Sequence, residues 1–274
     1  MTTFPSDLSL AQLQPRLTTH VIGRELVRLH HTTSTNDIVR AAAASGRPEG
    51  LVVLAEHQTH GRGQHGRQWS DVPHQSLLCS LLLRPPHIPA THTACIINAF
   101  VAVLAQTIAH VTTAPVHIKW PNDIVVMDGT QRRKLAGVLC EARIVAHHID
   151  SICIGWGVNV NAHPQHHSDA VDLARSSSAI NEWTTQPISR ADILVAQLNA
   201  FDHVYQQLQH DPTAYQAHWR QLVPIVGTTV TITRHDTQLS GTVTQLNDDG
   251  SIIVATANGS AVVHSGIIQF DSLL

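Results

Sequence analysis

The alternation of apolar and polar positions divides the chain into regions of different texture. Leu51 to Ala55 and Leu77 to Leu83 are near-continuous apolar runs bounded by turn residues, the pattern of strands buried on both faces. From Thr93 to Val111, apolar residues recur at Ile96, Ile97, Phe100, Val101, Leu104, Ile108 and Val111, a spacing that predicts a long helix with a wide buried stripe. Pro115 stops any continuation. Val116 to Lys119 alternates as a strand, Pro121 interrupts the ladder because it has no N–H, and Asn122-Asp123 is left at the break before Ile124 to Met127. Asp128-Gly129 is a turn signal that folds the chain back into Lys134 to Glu141, and Ile149 to Val160 supplies a further strand. Arg190 to Leu208 and Thr213 to Leu222 read as helices with Phe201, Tyr205, Tyr215 and Trp219 packing inward. Beyond Val223 the texture becomes five short alternating runs, Thr229 to Thr233, Gly241 to Leu246, Ser251 to Ala255, Ala261 to His264 and Ile267 to Phe270. That rhythm suits a small five-stranded barrel, so the expected domains are 1–222 and 223–274.

Composition narrows the function classes. A formal charge of −3 over 274 residues gives no global attraction to nucleic acid or anionic membrane, so any basic site must be local. Cys79, Cys95, Cys140 and Cys153 lie far apart in apolar runs without C-x-x-C spacing, and read as buried thiols of a reducing compartment. The N-terminal segment lacks the parts of a signal peptide and no apolar run is expected to reach membrane-spanning length; the expected location is cytoplasmic. Histidine is over-represented, with 21 in the chain. The group His163-Pro164-Gln165-His166-His167 is better suited to adventitious uptake of a divalent ion than to a dedicated site, and the polar stretch His163 to Gln186 is the expected covering loop.

Two stretches carry chemistry. Glu56 to Trp69 holds Gly61, Gly63, Gly66, Arg62, Arg67 and Trp69 just after a strand, a composition that grips anions through exposed N–H groups and guanidinium forks. Gly61-x-Gly63-x-x-Gly66 satisfies the dinucleotide fingerprint literally, but no helix opens at the third glycine and no acid follows at the required distance. The second stretch pairs Lys119 and Asp123 with Lys134 across a hairpin. If Met127 pairs near Lys134, Asp123 and Lys134 stand roughly 13 Å apart and would touch different parts of one elongated ligand. Upstream, Ser34-Thr35-Asn36 precedes an alanine-rich run closed by Gly46, which reads equally as an N-cap and as part of a site.

Ser34-Thr35-Asn36, Gly61-Arg62-Gly63-Gln64-His65-Gly66-Arg67-Gln68-Trp69, Lys119-Trp120-Pro121-Asn122-Asp123, Arg133-Lys134-Leu135-Ala136-Gly137 and Gly155-Trp156-Gly157-Val158-Asn159 together resemble the ordered motif set of biotin protein ligases. The similarity runs over roughly residues 25 to 272. It implies an α+β fold, a mixed and mostly antiparallel sheet flanked by helices as in class II aminoacyl-tRNA synthetases, with a C-terminal SH3-like barrel. It also implies a two-step reaction: biotin and MgATP give biotinyl-5'-AMP and pyrophosphate, and the adenylate acylates a lysine of a biotin carboxyl carrier protein, of acetyl-CoA carboxylase or another biotin-dependent carboxylase.

By that resemblance Lys134, Arg62 and Asp123 are catalytic, with Asp123 helping to position magnesium-bound phosphates. Biotin would be met by Ser34, Thr35, Asn36, Gln58, Gly61, Arg62, Gly63, Gln64, Lys134, Gly137, Gly155 and Gly157. ATP would be met by Arg62, Arg67, Trp69, Lys119, Asn122, Asp123 and Asn159. Gln64 departs from the family pattern, in which an arginine commonly stands at this point of the loop. Some relatives carry an N-terminal winged helix and act as repressors; about twenty residues ahead of the catalytic region hold none, so the expectation is a monofunctional enzyme, monomer or homodimer, without DNA or membrane partners. The competing expectations are a lipoate or octanoate ligase or transferase on a related fold, and a non-enzymatic nucleotide-binding regulator.

Overall fold

The computed structural model describes residues 7–129, 131–165, 173–234 and 237–270. The chain enters through α1 (Leu10–Leu13), then β1 (Glu25–Leu29), α2 (Thr35–Ala44), β2 (Leu51–Ala55), β3 (Ser76–Leu83) and α3 (Thr93–Ala109). Four strands follow, β4 (Val116–Lys119), β5 (Asp123–Asp128), β6 (Gln131–Val145) and β7 (His148–Asn159). Helices α4 (Leu173–Ser176), α5 (Arg190–His210) and α6 (Gln216–Gln221) lead to β8 (Thr229–Arg234), β9 (Thr237–Leu246), β10 (Ile252–Thr256), β11 (Gly259–Val263) and β12 (Ile267–Phe270).

The first seven strands form one sheet in the order β1-β2-β3-β7-β6-β5-β4. Only the β1–β2 pair is parallel, so the sheet is mixed and mostly antiparallel as expected. The last five strands form a second, antiparallel sheet in the order β11-β10-β9-β8-β12. All five short runs beyond Val223 are therefore strands, and among the described residues no β11–β12 ladder closes them into a cylinder.

The two faces of the large sheet are covered differently. On one face α3 and α5 complete the main core, where Phe100 packs edge-on against Trp156 and Phe201 at 5.0 and 4.8 Å between ring centroids. On the other face α2 covers β2, β3 and part of β7, where Val39 meets Leu51, Val53, Leu82 and Cys153. The β4–β6 part of that face, with the end of β7, is left to loops and the terminal sheet, and this is where the site lies.

Several expectations are adjusted. The long helix stops at Ala109, two residues before Val111, and α6 is shorter than the span 213–222. Ala90–Ala109 is apolar and long enough to cross a membrane by composition, contrary to expectation, although Ile96, Phe100, Leu104 and Ile108 are fully buried in the protein core. The four cysteines are free; three are buried and Cys140 is partly exposed. His166 and His167 lie outside the described residues, as does part of the covering loop; among those described, the rest of that stretch forms α4 and a short turn at Ile180–Trp183.

A buried ion network, not legible from spacing, anchors the root of the glycine loop. Glu56 directly follows β2 and is 0% exposed; its carboxylate accepts from Arg190 Nη1 (2.6 Å) and Arg28 Nη2 (2.7 Å). Arg190 opens α5 and also donates to Asp7 (2.5 Å), so the N-terminal segment, β1, β2 and α5 share one charge cluster. Removing one partner leaves a desolvated charge behind. Arg190→Met should destabilise the fold by about 3 kcal/mol, seen as a lower urea midpoint at unchanged m-value. A midpoint equal to wild type would show that the network is energetically idle.

Candidate active site

Strand register places the functional side chains on the uncovered half-face. Lys119 pairs with Asp123 across β4–β5, Asp123 with Gly137 and Val125 with Lys134 across β5–β6. Gly137 then pairs with Gly157, and Leu139 with Gly155, across β6–β7. Because side chains alternate, these residues point away from α3 and α5. The expected 13 Å between Asp123 and Lys134 is wrong: Lys134 Nζ lies 2.6 Å from Asp123 Oδ1. Met127 pairs with Arg132, not near Lys134, so Lys134 stands opposite Val125, two residues from Asp123 rather than four, and its side chain reaches back along the strand.

Over this face the loop after β2 folds as a small hairpin. The Gly63 N–H donates to Arg67 O (2.7 Å) and the Trp69 N–H to Gly61 O (3.0 Å), while His65 and Gly66 turn the tip with φ of 55° and 75°. Gly61 does not line the cavity; it serves the hairpin, since a Cβ there would stand 2.5 Å from Trp69 O. The Trp69 indole returns onto the sheet. A Cβ on Gly157 would lie 2.4 Å from its ring and one on Gly137 3.2 Å, so these glycines form the floor on which the ring rests. Lys134 Nζ sits 5.3 Å from that ring's centroid, within cation–π range.

The other end is polar and built by α2. Ser34 occupies the N-cap position without a side-chain capping bond, so the capping role does not account for its hydroxyl. Thr35 donates to Gln58 Oε1 from its backbone N–H (2.7 Å) and hydroxyl (3.0 Å). Ser80 donates to Asn36 Oδ1 (2.5 Å), and Asn36 Nδ2 donates to Glu141 (3.2 Å). Asn36 lies flat on the sheet because Gly155 has no side chain; a Cβ there would meet its Oδ1 at 1.9 Å.

Both ends open into one cavity of about 490 Å³, within the usual range for small-molecule sites. Ser34, Thr35, Asn36, Gln58, Arg62, Gly63, Gln64, Arg67, Trp69, Lys119, Asn122, Asp123, Lys134, Gly137, Gly155 and Gly157 all line it. Asn159 does not: it is buried beneath, its Nδ2 is 3.5 Å from Lys134 O, and its Oδ1 has no hydrogen-bond partner among the described residues. Asn122 lines the cavity while its amide donates to Val138 O, tying the β4–β5 break to β6. Sequence reasoning missed Arg132, His65, Ser177 and the Gly266–Ile268 segment of the terminal sheet, which also line it. Arg132 was recoverable from its two-residue spacing to Lys134 on β6.

The cavity is strongly cationic. Arg62 is held by Glu141 (2.7 Å) and Asp37 (3.4 Å), and Lys134 by Asp123. Burial holds the Lys119 ammonium below the usual lysine range; Asp123 opposes this, and the positive charges of Lys134, Arg132 and Arg67 add to it.

The profile of the Biotin/lipoate A/B protein ligase family matches residues 29–159, the span from the end of β1 through β7. The chain is 27% identical over 266 residues to the bifunctional ligase/repressor BirA of Bacillus subtilis, covering 97% of this chain and 80% of that protein. It is 36% identical over 146 residues to the biotin--[acetyl-CoA-carboxylase] ligase of Mycobacterium tuberculosis, 52% of each chain. The biotin protein ligase of Aquifex aeolicus, solved in complex with biotin and ATP, shares the fold with a TM-score of 0.71 at 21% identity, over 90% of this chain and 98% of that one.

A lysine whose folded pKa lies below its unfolded value destabilises the fold while both states are protonated, and that cost disappears as pH rises through the folded and then the unfolded pKa. Lys119→Met should therefore raise the urea midpoint at pH 7, with the gain shrinking toward pH 10 to 11, roughly the unfolded lysine value. A lower midpoint at pH 7 would show that Lys119 is a net stabilising contact.

Proposed function

We propose that this chain is a biotin protein ligase: it joins biotin to AMP with release of pyrophosphate and passes the biotinyl group to one lysine of a biotin carboxyl carrier domain. The observation that carries this reading is the convergence of Lys134, Asp123, Lys119, Arg67 and Arg62 with the Thr35–Gln58 cluster in one cavity. A carboxylate and a polyphosphate repel each other and the carboxylate is a poor electrophile, so a site that joins them must neutralise both and hold them in line.

In this reading the ureido ring of biotin is met by Ser34, Thr35, Asn36 and Gln58, with Gly63 and Gln64 closing over it and Gly155 and Gly157 leaving it room. Lys134 lies between the two ends and draws the biotin carboxylate toward the α-phosphate. A carboxylate oxygen forms the new bond to phosphorus as the bond to pyrophosphate breaks. In the second step the carrier lysine, as the free amine, attacks the acyl carbon and AMP departs. Arg62 and Arg67 neutralise phosphate charge, while Trp69, Asn122 and, from beneath, Asn159 frame the nucleotide side.

Magnesium fits the residues present in one way only. Among the described residues no group of three His, Cys, Asp or Glu side chains could cage a metal, whereas Asp123 presents a single carboxylate to the cavity. Magnesium held mainly by water and phosphate needs no more than that, and when bound it adds positive charge to the phosphates.

We place the domain boundary at 222/223, between the end of α6 and β8. The reading includes no nucleic-acid or membrane partner, in keeping with the formal charge of −3, and buried free thiols suit a cytoplasmic location.

Biotin-dependent exchange of pyrophosphate with ATP tests the function. Exchange should appear with biotin and not with lipoate, since a pocket built from polar groups rejects a ligand that leaves them unpaired. Equal exchange with lipoate would select the lipoate ligase reading, and ATP binding without exchange the regulator. Lys134→Ala should abolish adenylate formation; near wild-type exchange by that variant would overturn its assignment. Gln64→Arg should slow biotinyl-AMP dissociation by adding a cation to the loop over the adenylate, and an unchanged off-rate would remove Gln64 from the account.

A further inference from the structure

The positive charges of the cavity fall into two groups. Arg62 and Lys134 already have carboxylate partners, Glu141 with Asp37 for the first and Asp123 for the second. Arg67, Lys119 and Arg132 have no carboxylate within ion-pair distance among the described residues. All three act on one place, since Arg132 and Arg67 both raise the positive field at Lys119. Clustered cations with no carboxylate in ion-pair contact and only Asp123 nearby to oppose them, partly withdrawn from water, form a site suited to a multiply charged anion.

Arg132 has a further feature. It stands two residues before Lys134 on β6, opposite Met127, and its guanidinium carbon lies 4.0 Å from the centre of the Phe270 ring on β12. Stacking on an aromatic face uses the flat side of the guanidinium and leaves its edge of N–H donors directed outward. A second cavity of about 170 Å³ adjoins the first here across shared lining residues. The two share Lys119, Trp120, Val125 and Arg132, and Phe270 and Pro224 help bound the smaller one. There is space beyond the paired cations, and Arg132 stands at the junction.

We propose that Arg132, held flat against Phe270 of the terminal sheet, binds the β- and γ-phosphates of the nucleotide together with Lys119 and Arg67, with Phe270 as the positioning residue. This rests on the ligase reading for the identity of the nucleotide. It gives the terminal sheet a direct part in the site, fixing the orientation of one cation that the large sheet supplies. It also divides the labour: the paired cations Lys134 and Arg62 serve the carboxylate and α-phosphate, the unpaired ones serve the leaving pyrophosphate.

Equilibrium binding of ATP and AMP, measured beside the biotin-dependent exchange rate, tests the proposal on the full chain. Arg132→Met should weaken ATP binding and raise the KM for ATP by about ten- to a hundredfold, the loss expected for a charge-assisted contact, while AMP affinity and the KM for biotin stay at wild-type values. Phe270→Leu, which keeps the charge, should shift ATP in the same direction by a smaller factor, and Arg132→Lys should fall between wild type and Arg132→Met. Unchanged ATP affinity in Arg132→Met, or equal weakening of ATP and AMP, would overturn the proposal. A wild-type protein that binds ATP through Arg132 but shows no biotin-dependent exchange would instead overturn the ligase reading and leave the polyphosphate site standing.

Discussion

The site depends on the absence of side chains at three adjacent points of one sheet face. Gly137 and Gly157 pair across β6–β7, and Gly155 lies two residues further along β7. Trp69 rests on the first pair and Asn36 on the third, at separations that a Cβ on Gly157 or Gly155 would violate and one on Gly137 would crowd. The glycine loop and the N-terminus of α2 approach from different parts of the chain, and both are stopped at the depth set by bare backbone. Lys134 then lies between them, against Trp69 and Asp123. An alanine at Gly155 would move Asn36 and, through its bonds to Ser80 and Glu141, the whole polar end. Backbone approach thus fixes the spacing between a polar end and a cationic end, which is what a site for two joined substrates requires.

Charge is the second constraint, and the fold manages it by position. Glu56 and Arg190 neutralise each other in full burial at the root of the loop, where geometry must not vary. The cavity cations are instead partly exposed and incompletely paired. A surplus of positive charge costs the empty fold some stability and is relieved only by the polyanion, so binding energy is concentrated where the chemistry takes place. The same protein therefore keeps its balanced ion pairs for architecture and its unbalanced ones for ligand.

Much of this was legible in the sequence, for reasons that differ by element. Strands β2 and β3 were readable because burial on both faces demands uninterrupted apolar runs, and α3 because its stripe repeats at three and four. The loop 61–69 and the Lys119 to Asp123 segment stood out because glycine, proline and tryptophan are rarely grouped without a backbone reason. What failed was geometry that depends on pairing offset. A two-residue error in pairing at the 128–131 turn turned a 2.6 Å ion pair into an expected separation of four residues. Contacts across large sequence distances were invisible for a different reason. Glu56 and Arg190 are 134 residues apart and Arg132 and Phe270 are on different sheets, and no periodicity within either segment encodes its partner.

That last class of contact bears on why the terminal sheet accompanies the large one. Trp120 donates from its indole to Gly250 O at 2.7 Å, and Asn98 and Gln216 reach Asp248 O, so the β9–β10 turn is bonded to the β4–β5 break and to α3 and α6. Trp120 directly follows Lys119, and Asn122 directly precedes Asp123. The terminal sheet therefore grips the short break that places both charged residues at the cavity, in addition to supplying Gly266–Ile268 to its wall. A small sheet appended only for contact with a carrier would have no need of bonds to this break. Its hydrogen bonds instead fall where a shift of the backbone would most disturb the relation of Lys119 to Asp123, which makes the second sheet part of the site's own framework.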